Sequence, residues 1–392
     1  MLINKVRKKV RDDLESPPEL RRFGSGWVSG SIALVASIAG LLFVLCLRYP
    51  GLLTIPQIRT YYENPLFRIG LHILLIATFI LSAISMALRK NKILGFTAMT
   101  VTLLATILGG TAGQSSSGEL LHGAFLGLDW FILNLILTGL LFVPLEKLFA
   151  HNKGQPIFFR EDWREDLFYF LISSLLVQAL TFLSLRPALL ILSHTKWTAF
   201  RAWVGGQPVL LQFFEIMFLT DLVQYWVHRA FHRIPFLWGF HAVHHSAKSL
   251  DWIAGARMHF FEIVILRGTT VIPMYVLGFT APALYAYVFL VYVHSTFLHA
   301  NIGWNFDWLG RFLATPRFHH WHHGIEEEAI DVNFSIHFPL LDRLFGTYHL
   351  PPGRWPKGYG VGGHPVPPSY FRQFLYPFVR KTPAAGGEAP NP

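Results

Sequence analysis

Five histidines fall between residues 228 and 245, as His228-x-x-x-His232 and His241-x-x-His244-His245, and His319, His322 and His323 repeat the second pattern further along. Spacings of i, i+4 and of i, i+3, i+4 put each set on one face of a helix. Imidazole is the commonest transition-metal ligand, and an unpaired ionisable group is costly to bury in an apolar segment. Imidazole faces converging on one point suit two metal ions better than one, since a first-row ion takes about four to six ligands. An all-nitrogen set fits zinc, iron, copper or nickel alike. The chain has no His-Glu-x-x-His, so a metalloprotease would lack its general base. Cys46 is the single cysteine and lies in an apolar run, which leaves no thiolate zinc site, cysteine-ligated cluster or intramolecular disulfide. Fixed spacing also separates these groups from low-complexity histidine tracts.

Helices must bring these faces together. Thr315 is placed to cap, and Pro316 suits the first helical position before the third group. Pro235 ends the helix that carries His228 and His232, and lets the next one fold back. An apolar run at about 207–227 leads straight into His228. Others lie at about 27–47, 69–88, 93–112, 127–146 and 166–192. A last pair, 263–281 and 282–299, is hinged at Pro282 and reads as a helical hairpin. Dense positive charge in residues 1–24, at Arg89-Lys90-Asn91-Lys92 and from Lys147 to Arg164 contrasts with Thr111–Leu126, which has no Lys or Arg. Counting spans from a cytosolic N-terminus puts the dense loops inside and the bare one outside. The same count puts His228–Glu262 and His299–His349 on the cytosolic side, so all three groups share one compartment. The expected fold is all-α: a polytopic membrane helical bundle with a cytosolic, histidine-rich helical cap holding a dimetal site.

Composition agrees. The 392 residues are 52% hydrophobic and only 14% charged, with a mean hydropathy of +0.40, where soluble domains carry about a quarter charged residues. Aromatic residues reach 15%, which suits interfacial belts. The net charge of +10 flanks apolar runs instead of forming a basic face, which argues for anionic headgroups and against nucleic acid. The charged first residues lack the apolar stretch of a cleavable signal peptide. Residues 1–155 read as an N-terminal membrane region of about four spans, 156–350 as the region that carries the chemistry, and 351–392 as a Pro/Gly-rich tail, disordered from 382.

The ordered motifs HxxxH at 228–232, HxxHH at 241–245 and HxxHH at 319–323 resemble those of the fatty acid hydroxylase and sterol desaturase superfamily of membrane di-iron oxygenases. Asp221 and Tyr225-Trp226 precede the first motif, and Ser246 follows the second. Arg257-Met258-His259 with Glu262 is similar to the family's Arg-x-His-Pro-x-Glu, and His299-Ala300-Asn301 to its His-x-Asn. Thr315-Pro316 leads into the third motif, and Asp342-Arg-Leu-Phe-Gly-Thr347 is similar to the closing signature. The resemblance covers about 165–350. Phe260 stands where the family usually has Pro, Phe334-Ser335 where Tyr-Gly commonly follows Asn333, and Leu341 where Trp precedes Asp342. These departures bear on the substrate and on the groups around the ligands, not on the metal site.

The resemblance implies that His228, His232, His241, His244, His245, His319, His322 and His323 are metal ligands, with His299 as a ninth. His259 either ligates or supports a ligand, and His294 and His320 are weaker candidates. Asp221, Glu262, Asn301, Asn333 and Asp342 are expected to receive ring N–H groups, although Asp342 suits a helix or loop cap nearly as well. Arg257 is expected to pair with Glu262 or a nearby acid. His72, His122, His151, His194, His337, His349 and His364 read as structural or surface residues.

Two iron ions are implied, using O2 to hydroxylate or desaturate a C–H bond of a lipid from the bilayer; zinc can occupy the same donors in isolated protein. Electrons come from an external donor. Gly362-Gly363-His364-Pro365 is in the wrong order for a fused haem domain, and no flavin or nicotinamide fingerprint is present. A separate electron-donor protein is implied, or a pterin as in one branch of the superfamily. The other class of reading is a non-oxygenase membrane metal protein such as a zinc transporter or sensor. A transporter is expected to hold its His and Asp within spanning helices, whereas these clusters lie just beyond the apolar runs. The expected location is a bacterial inner membrane, or the endoplasmic reticulum in a eukaryote. Fatty acyl chains, sterols, alkylglycerols and carotenoids all suit the scaffold.

Overall fold

The computed structural model describes residues 2–112, 124–304, 308–362 and 366–380, so His122, His364 and the 382–392 tail lie outside the described residues. Apart from two isolated bridges, the regular structure among the described residues is helical. Among the described residues six helices are long and apolar enough to cross a membrane, or seven if one bent pair counts as a single span. The chain divides into two compact units, Met1–Ile136 with Ser174–Gln178, and Leu137–Ser173 with Ala179–Pro392.

In the first unit, α1 (Leu2–Leu14) precedes α2 (Trp27–Arg48), the short α3 (Pro50–Leu53), α4 (Pro65–Leu88) and α5 (Ile93–Ile107). Helices α2, α4 and α5 pack closely through small residues. Gly30 lies against Ser85 and Leu94, and Gly95 lies against the Ser82 carbonyl and Met86. A membrane bundle gains little from hydrophobic burial between helices, so close van der Waals approach over small residues does the work. Arg89, just past α4, holds Asp13 of α1 with Nε–Oδ2 at 3.1 Å and Nη2–Oδ1 at 2.5 Å.

Helix α6 (Leu128–Phe149) is followed by α7 (Trp163–Leu175) and α8 (Val177–His194). The run expected as one span over 166–192 therefore breaks at Leu176. The freed Leu175 carbonyl instead accepts the Gly127 N–H at 3.2 Å. A side chain on Gly127 would sit 2.6 Å from the Ser174 carbonyl, so the break depends on a glycine there.

The second unit is built around α10 (Val209–Arg233), which α9 (Thr198–Gly205) meets at 116°. It packs against α12 (Phe260–Val276) and α13 (Ala281–His299) over Ile216, Met217, Met274, Ala283 and Tyr287. The α12–α13 hairpin turns at Leu277–Thr280, earlier than the expected hinge at Pro282. Gly278 takes a left-handed φ of 95°, while Pro282 sits inside the first turn of α13. Arg201 closes the end of α12 by donating to the carbonyls of Tyr275 at 2.9 Å and Val276 at 2.5 Å. At 17 residues α12 is at the lower limit for crossing a bilayer. Pro235 starts α11 (Pro235–His245) directly after α10, and Thr315 caps α14 (Pro316–His322), its side chain accepting the Phe318 N–H. The short α15 (Pro339–Leu344) and α16 (Tyr370–Val379) complete the unit, the latter against α11.

Gly95→Val places two methyl groups where the α4 backbone already lies within contact. It is expected to cost about 1–3 kcal/mol and to lower the melting temperature of the detergent-solubilised protein. Metal content per chain should not change; loss of metal without loss of stability contradicts this assignment of Gly95 to packing.

Candidate metal centre

Nine imidazoles converge in two groups. His228 and His232 of α10, His241 and His245 of α11 and His322 of α14 form one group, in which one ring nitrogen from each lies within 4.8 Å of the others. His244 of α11, His299 at the end of α13, His319 on α14 and His323 at its C-cap form the second, within the same limit. The eight motif histidines and His299 are thus brought together, and no other candidate joins them.

The tautomers follow from what each Nδ1 touches. His228 Nδ1 donates to the Phe334 carbonyl at 2.8 Å and His322 Nδ1 to the Val332 carbonyl at 2.8 Å. His244 Nδ1 donates to the Arg257 carbonyl at 3.0 Å, and His299 Nδ1 to the Ser295 carbonyl at 2.8 Å. His241 Nδ1 meets the Glu262 carboxylate at 2.6 Å. A carbonyl only accepts, so His228, His322, His244 and His299 carry hydrogen on Nδ1 and a lone pair on Nε2. Yet His228 and His241 bring their Nε2 atoms to 2.9 Å, and His244 and His299 bring theirs to 3.2 Å. His244 and His299, both held by carbonyls on Nδ1, have no proton to share. Facing lone pairs at that distance repel unless a cation lies against both, and two nitrogens bound about 2.1 Å from one ion stand roughly 3 Å apart. That pair fits the four-imidazole group to a metal ion. The five-imidazole group gathers five ring nitrogens within 4.8 Å, of which His228 and His322 have the Nε2 lone pair fixed, so the donors present fit an ion there too.

The acceptors are themselves held. The loop carrying Val332 and Phe334 runs through two left-handed residues, Asp331 (φ 57°) and Asn333 (φ 59°), of types that tolerate that conformation. Asn333 donates to the Phe318 carbonyl at 2.9 Å and the His349 carbonyl at 2.6 Å. Asp342 accepts the N–H of Phe334 at 2.7 Å and of Ser335 at 3.0 Å. Asp221 accepts those of Ile336 at 2.8 Å and Phe338 at 2.6 Å. Asp221, Asn333 and Asp342 thus touch no imidazole of either group; they fix the loop whose carbonyls do. For Asp342 the cap is the role observed. Glu262 is the one expected carboxylate that meets a ring directly.

Arg257 serves through its backbone carbonyl, while its guanidinium lies against Asp166 with Nε–Oδ1 at 2.5 Å instead of against Glu262. Asp166 also holds Arg160, which reaches Asp251, each at 2.5 Å. Asn301 pairs with the backbone of Asn152, accepting its N–H at 2.9 Å and donating to its carbonyl at 3.1 Å. Its own N–H goes to Glu146 at 3.0 Å. Glu146, Arg160, Asp166 and Asp251 were missed as members of this support. Two carried a signal, since Glu146 and Asp166 are acids within apolar runs. Gly255 was missed too: a Cβ there would lie 2.8 Å from His299 Nδ1, so the ring needs a glycine opposite it.

His259 lies apart from both groups. Its Nδ1 caps α12 by accepting the Phe261 N–H at 3.3 Å, and its Nε2 meets the Phe374 carbonyl at 3.0 Å. His294 pairs with His337 at 3.0 Å, and His337 in turn reaches Tyr287 at 3.3 Å, a buried chain outside the two groups. His320 points away from its motif neighbours, to Tyr359 and the His299 carbonyl.

Residues 213–347 match the family model described as fatty acid hydroxylase. The chain is 29% identical over 196 residues to an ornithine lipid hydroxylase of Rhizobium tropici, covering 50% of this chain and 57% of that protein. It is 27% identical over 150 residues to an alkylglycerol monooxygenase of Caenorhabditis elegans, covering 37% and 28%. With a methylsterol monooxygenase of Arabidopsis thaliana the identity is 26% over 151 residues, covering 36% and 48%. The matched segment thus spans between about a quarter and somewhat over half of these relatives. No solved structure matches.

Burial first, and then crowding by one another, holds the imidazoles of His241, His245, His319, His322 and His323 well below the ordinary value of 6.5. The buried rings stay neutral where an unfolded chain would take up protons, so stability falls as pH drops below about 6.5 and is flat above it. Thermal unfolding of metal-free protein in detergent between pH 8 and 5 checks this; rising stability toward pH 5 contradicts it. Glu262→Ala removes the hydrogen-bond partner of His241 Nδ1. It should weaken metal binding in the five-imidazole group by about 10–100-fold, with elemental analysis showing retention in the other group.

Proposed function

We propose, for a chain that belongs to the fatty acid hydroxylase superfamily, that it is a membrane dimetal oxygenase inserting oxygen into a C–H bond of a lipid. The net reaction is R–H + O2 + 2e⁻ + 2H⁺ → R–OH + H2O, with electrons from an external donor. The observation that carries the reading is the pair of facing Nε2 lone pairs on His244 and His299 beside a second cluster of five imidazoles, within a region matched by the hydroxylase family. His228, His232, His241, His245 and His322 would hold one ion, and His244, His299, His319 and His323 the other.

Two iron ions, when bound, supply the O2 activation and C–H cleavage that no protein side chain can perform. The chain's own part is to orient the nine rings, keep them neutral and exclude water. Glu262 and the carbonyls of Val332, Phe334, Arg257 and Ser295 orient five of them, His241, His322, His228, His244 and His299. The substrate is a bilayer lipid, a reading supported by relatives named for ornithine lipid, alkylglycerol and methylsterol, which do not choose among lipid classes. We assign the active face to the cytosolic side of a bacterial inner membrane, or of the endoplasmic reticulum in a eukaryote, on the charge pattern of the loops.

Expression of the chain should add one oxygen atom to one lipid class, read by mass spectrometry of total lipids, and His244→Ala with His245→Ala should abolish the product. Purified, iron-loaded protein should consume O2 only under reducing conditions. Unmodified lipids in every class together with no O2 consumption would sink the reading. Zinc in the isolated sample would not, because nitrogen donors accept it in place of lost iron.

A further inference from the structure

A polar cavity of about 390 Å³ lies in the second unit beside the four-imidazole group. Its floor includes Asn301, two residues after His299, and its wall includes His320 and Tyr359. Lys153 and Lys357 line it and are exposed, while no aspartate or glutamate does among the described residues. The frame is fixed. His151 and Asn152 are bonded to Asn301 through main-chain and side-chain atoms, and Gly303 donates to the Phe149 carbonyl at 2.7 Å. A Cβ on Gly303 would lie 2.9 Å from His151 Cα, so the two strands of this frame approach as closely as a glycine permits. His151 stacks on Trp355 with centroids 3.8 Å apart. Only Leu250 and Pro356 are apolar, which leaves no slot for an acyl chain.

A directed hydrogen-bond line leads from this cavity to the histidine group. His320 Nε2 lies 3.3 Å from the His299 carbonyl and so carries the ring hydrogen. Its Nδ1 is then an acceptor, and takes the Tyr359 hydroxyl proton at 2.8 Å. Tyr359 has one proton, which goes either to His320 or to an acceptor in the cavity. An anion in the cavity competes for it, and His320 and the His299 backbone feel the result.

We propose that this cavity is an anion-binding site, taking the phosphate or carboxylate of a polar molecule between Lys153 and Lys357, and that Tyr359 and His320 carry its occupancy to His299. The second half rests on the proposed metal reading; the first half does not. The anion is either the headgroup of a lipid whose chains stay outside the cavity, or a free small anion.

Equilibrium binding of inorganic phosphate and of short-chain phosphatidic acid to the metal-free, detergent-solubilised full chain tests the site. Saturable binding of either ligand is expected, and Lys153→Gln with Lys357→Gln, both exposed changes, should weaken it by roughly tenfold or more, the loss of about one charge-assisted contact. Phosphate alone binding identifies a free anion as the source, and phosphatidic acid alone identifies a headgroup. Binding of neither, or binding unaffected by the lysine changes, overturns the site. Cobalt(II)-loaded protein tests the line to His299. Ligand should shift its visible absorption in the unaltered chain and not in Tyr359→Phe, which keeps the lysines. An equal shift in both overturns the relay. Phosphate binding by a chain that takes up no cobalt leaves the cavity standing and removes the metal reading instead.

Discussion

The rest of the site depends on one constraint: neutral imidazoles, His244 and His299, that present lone pairs to one another at 3.2 Å. In water such rings would turn away or take up a proton. Here they can do neither. Burial disfavours the charged form, and carbonyl acceptors on Nδ1 forbid the tautomer that would let one ring donate to the next. The repulsion is therefore built in by the main chain, and a cation relieves it. Much of what surrounds the histidines can be understood as holding the carbonyls in place. Asp342 and Asp221 clamp successive N–H groups of the 334–338 loop, Asn333 accepts a left-handed backbone there, and Asp166 anchors the arginine whose own carbonyl steers His244.

The same constraint bears on the helices. Rings from α10, α11, α13 and α14 meet only if α11 turns back at once from α10, which Pro235 allows, and if α13 ends at His299. The hairpin of α12 and α13 returns His299 to the level of His244 whatever length of α12 lies in the bilayer. Gly255 then clears space for the His299 ring. Breaks in the secondary structure coincide with these needs, as natural sequences depart from regularity where a site demands it.

The sequence made the helices and eight of the nine rings legible because both rest on periodicity: apolar runs for spans, and i, i+3, i+4 spacing for faces; His299 came from the family resemblance. Its reading of the supporting residues was weaker for a physical reason. Ring N–H groups go mostly to backbone carbonyls, and a carbonyl has no side-chain signature. Asp221, Asn333 and Asp342 were expected to meet imidazoles, and instead hold the loop one step removed. His259 fits its motif yet serves as a helix cap. The break at Leu176 and the early turn at Gly278 depend on contacts with Gly127 and Arg201, which are distant in sequence and invisible to a local window.

In each HxxHH motif the three rings do not serve one group. His241 and His245, four residues apart, go to the five-imidazole group, while His244 goes to the other. On α14 the assignment is reversed: His319 and His323 go to the four-imidazole group and His322 to the first. A helix turns by about 100° per residue, so neighbouring histidines diverge while those four apart stay aligned. Adjacent histidines at the end of each motif thus aim at different groups, and the two motifs interlock in opposite senses. A single HxxxH, such as His228 and His232, contributes to one group alone. Two HxxHH motifs facing each other are what tie the two groups into one centre, so displacing either helix disturbs both.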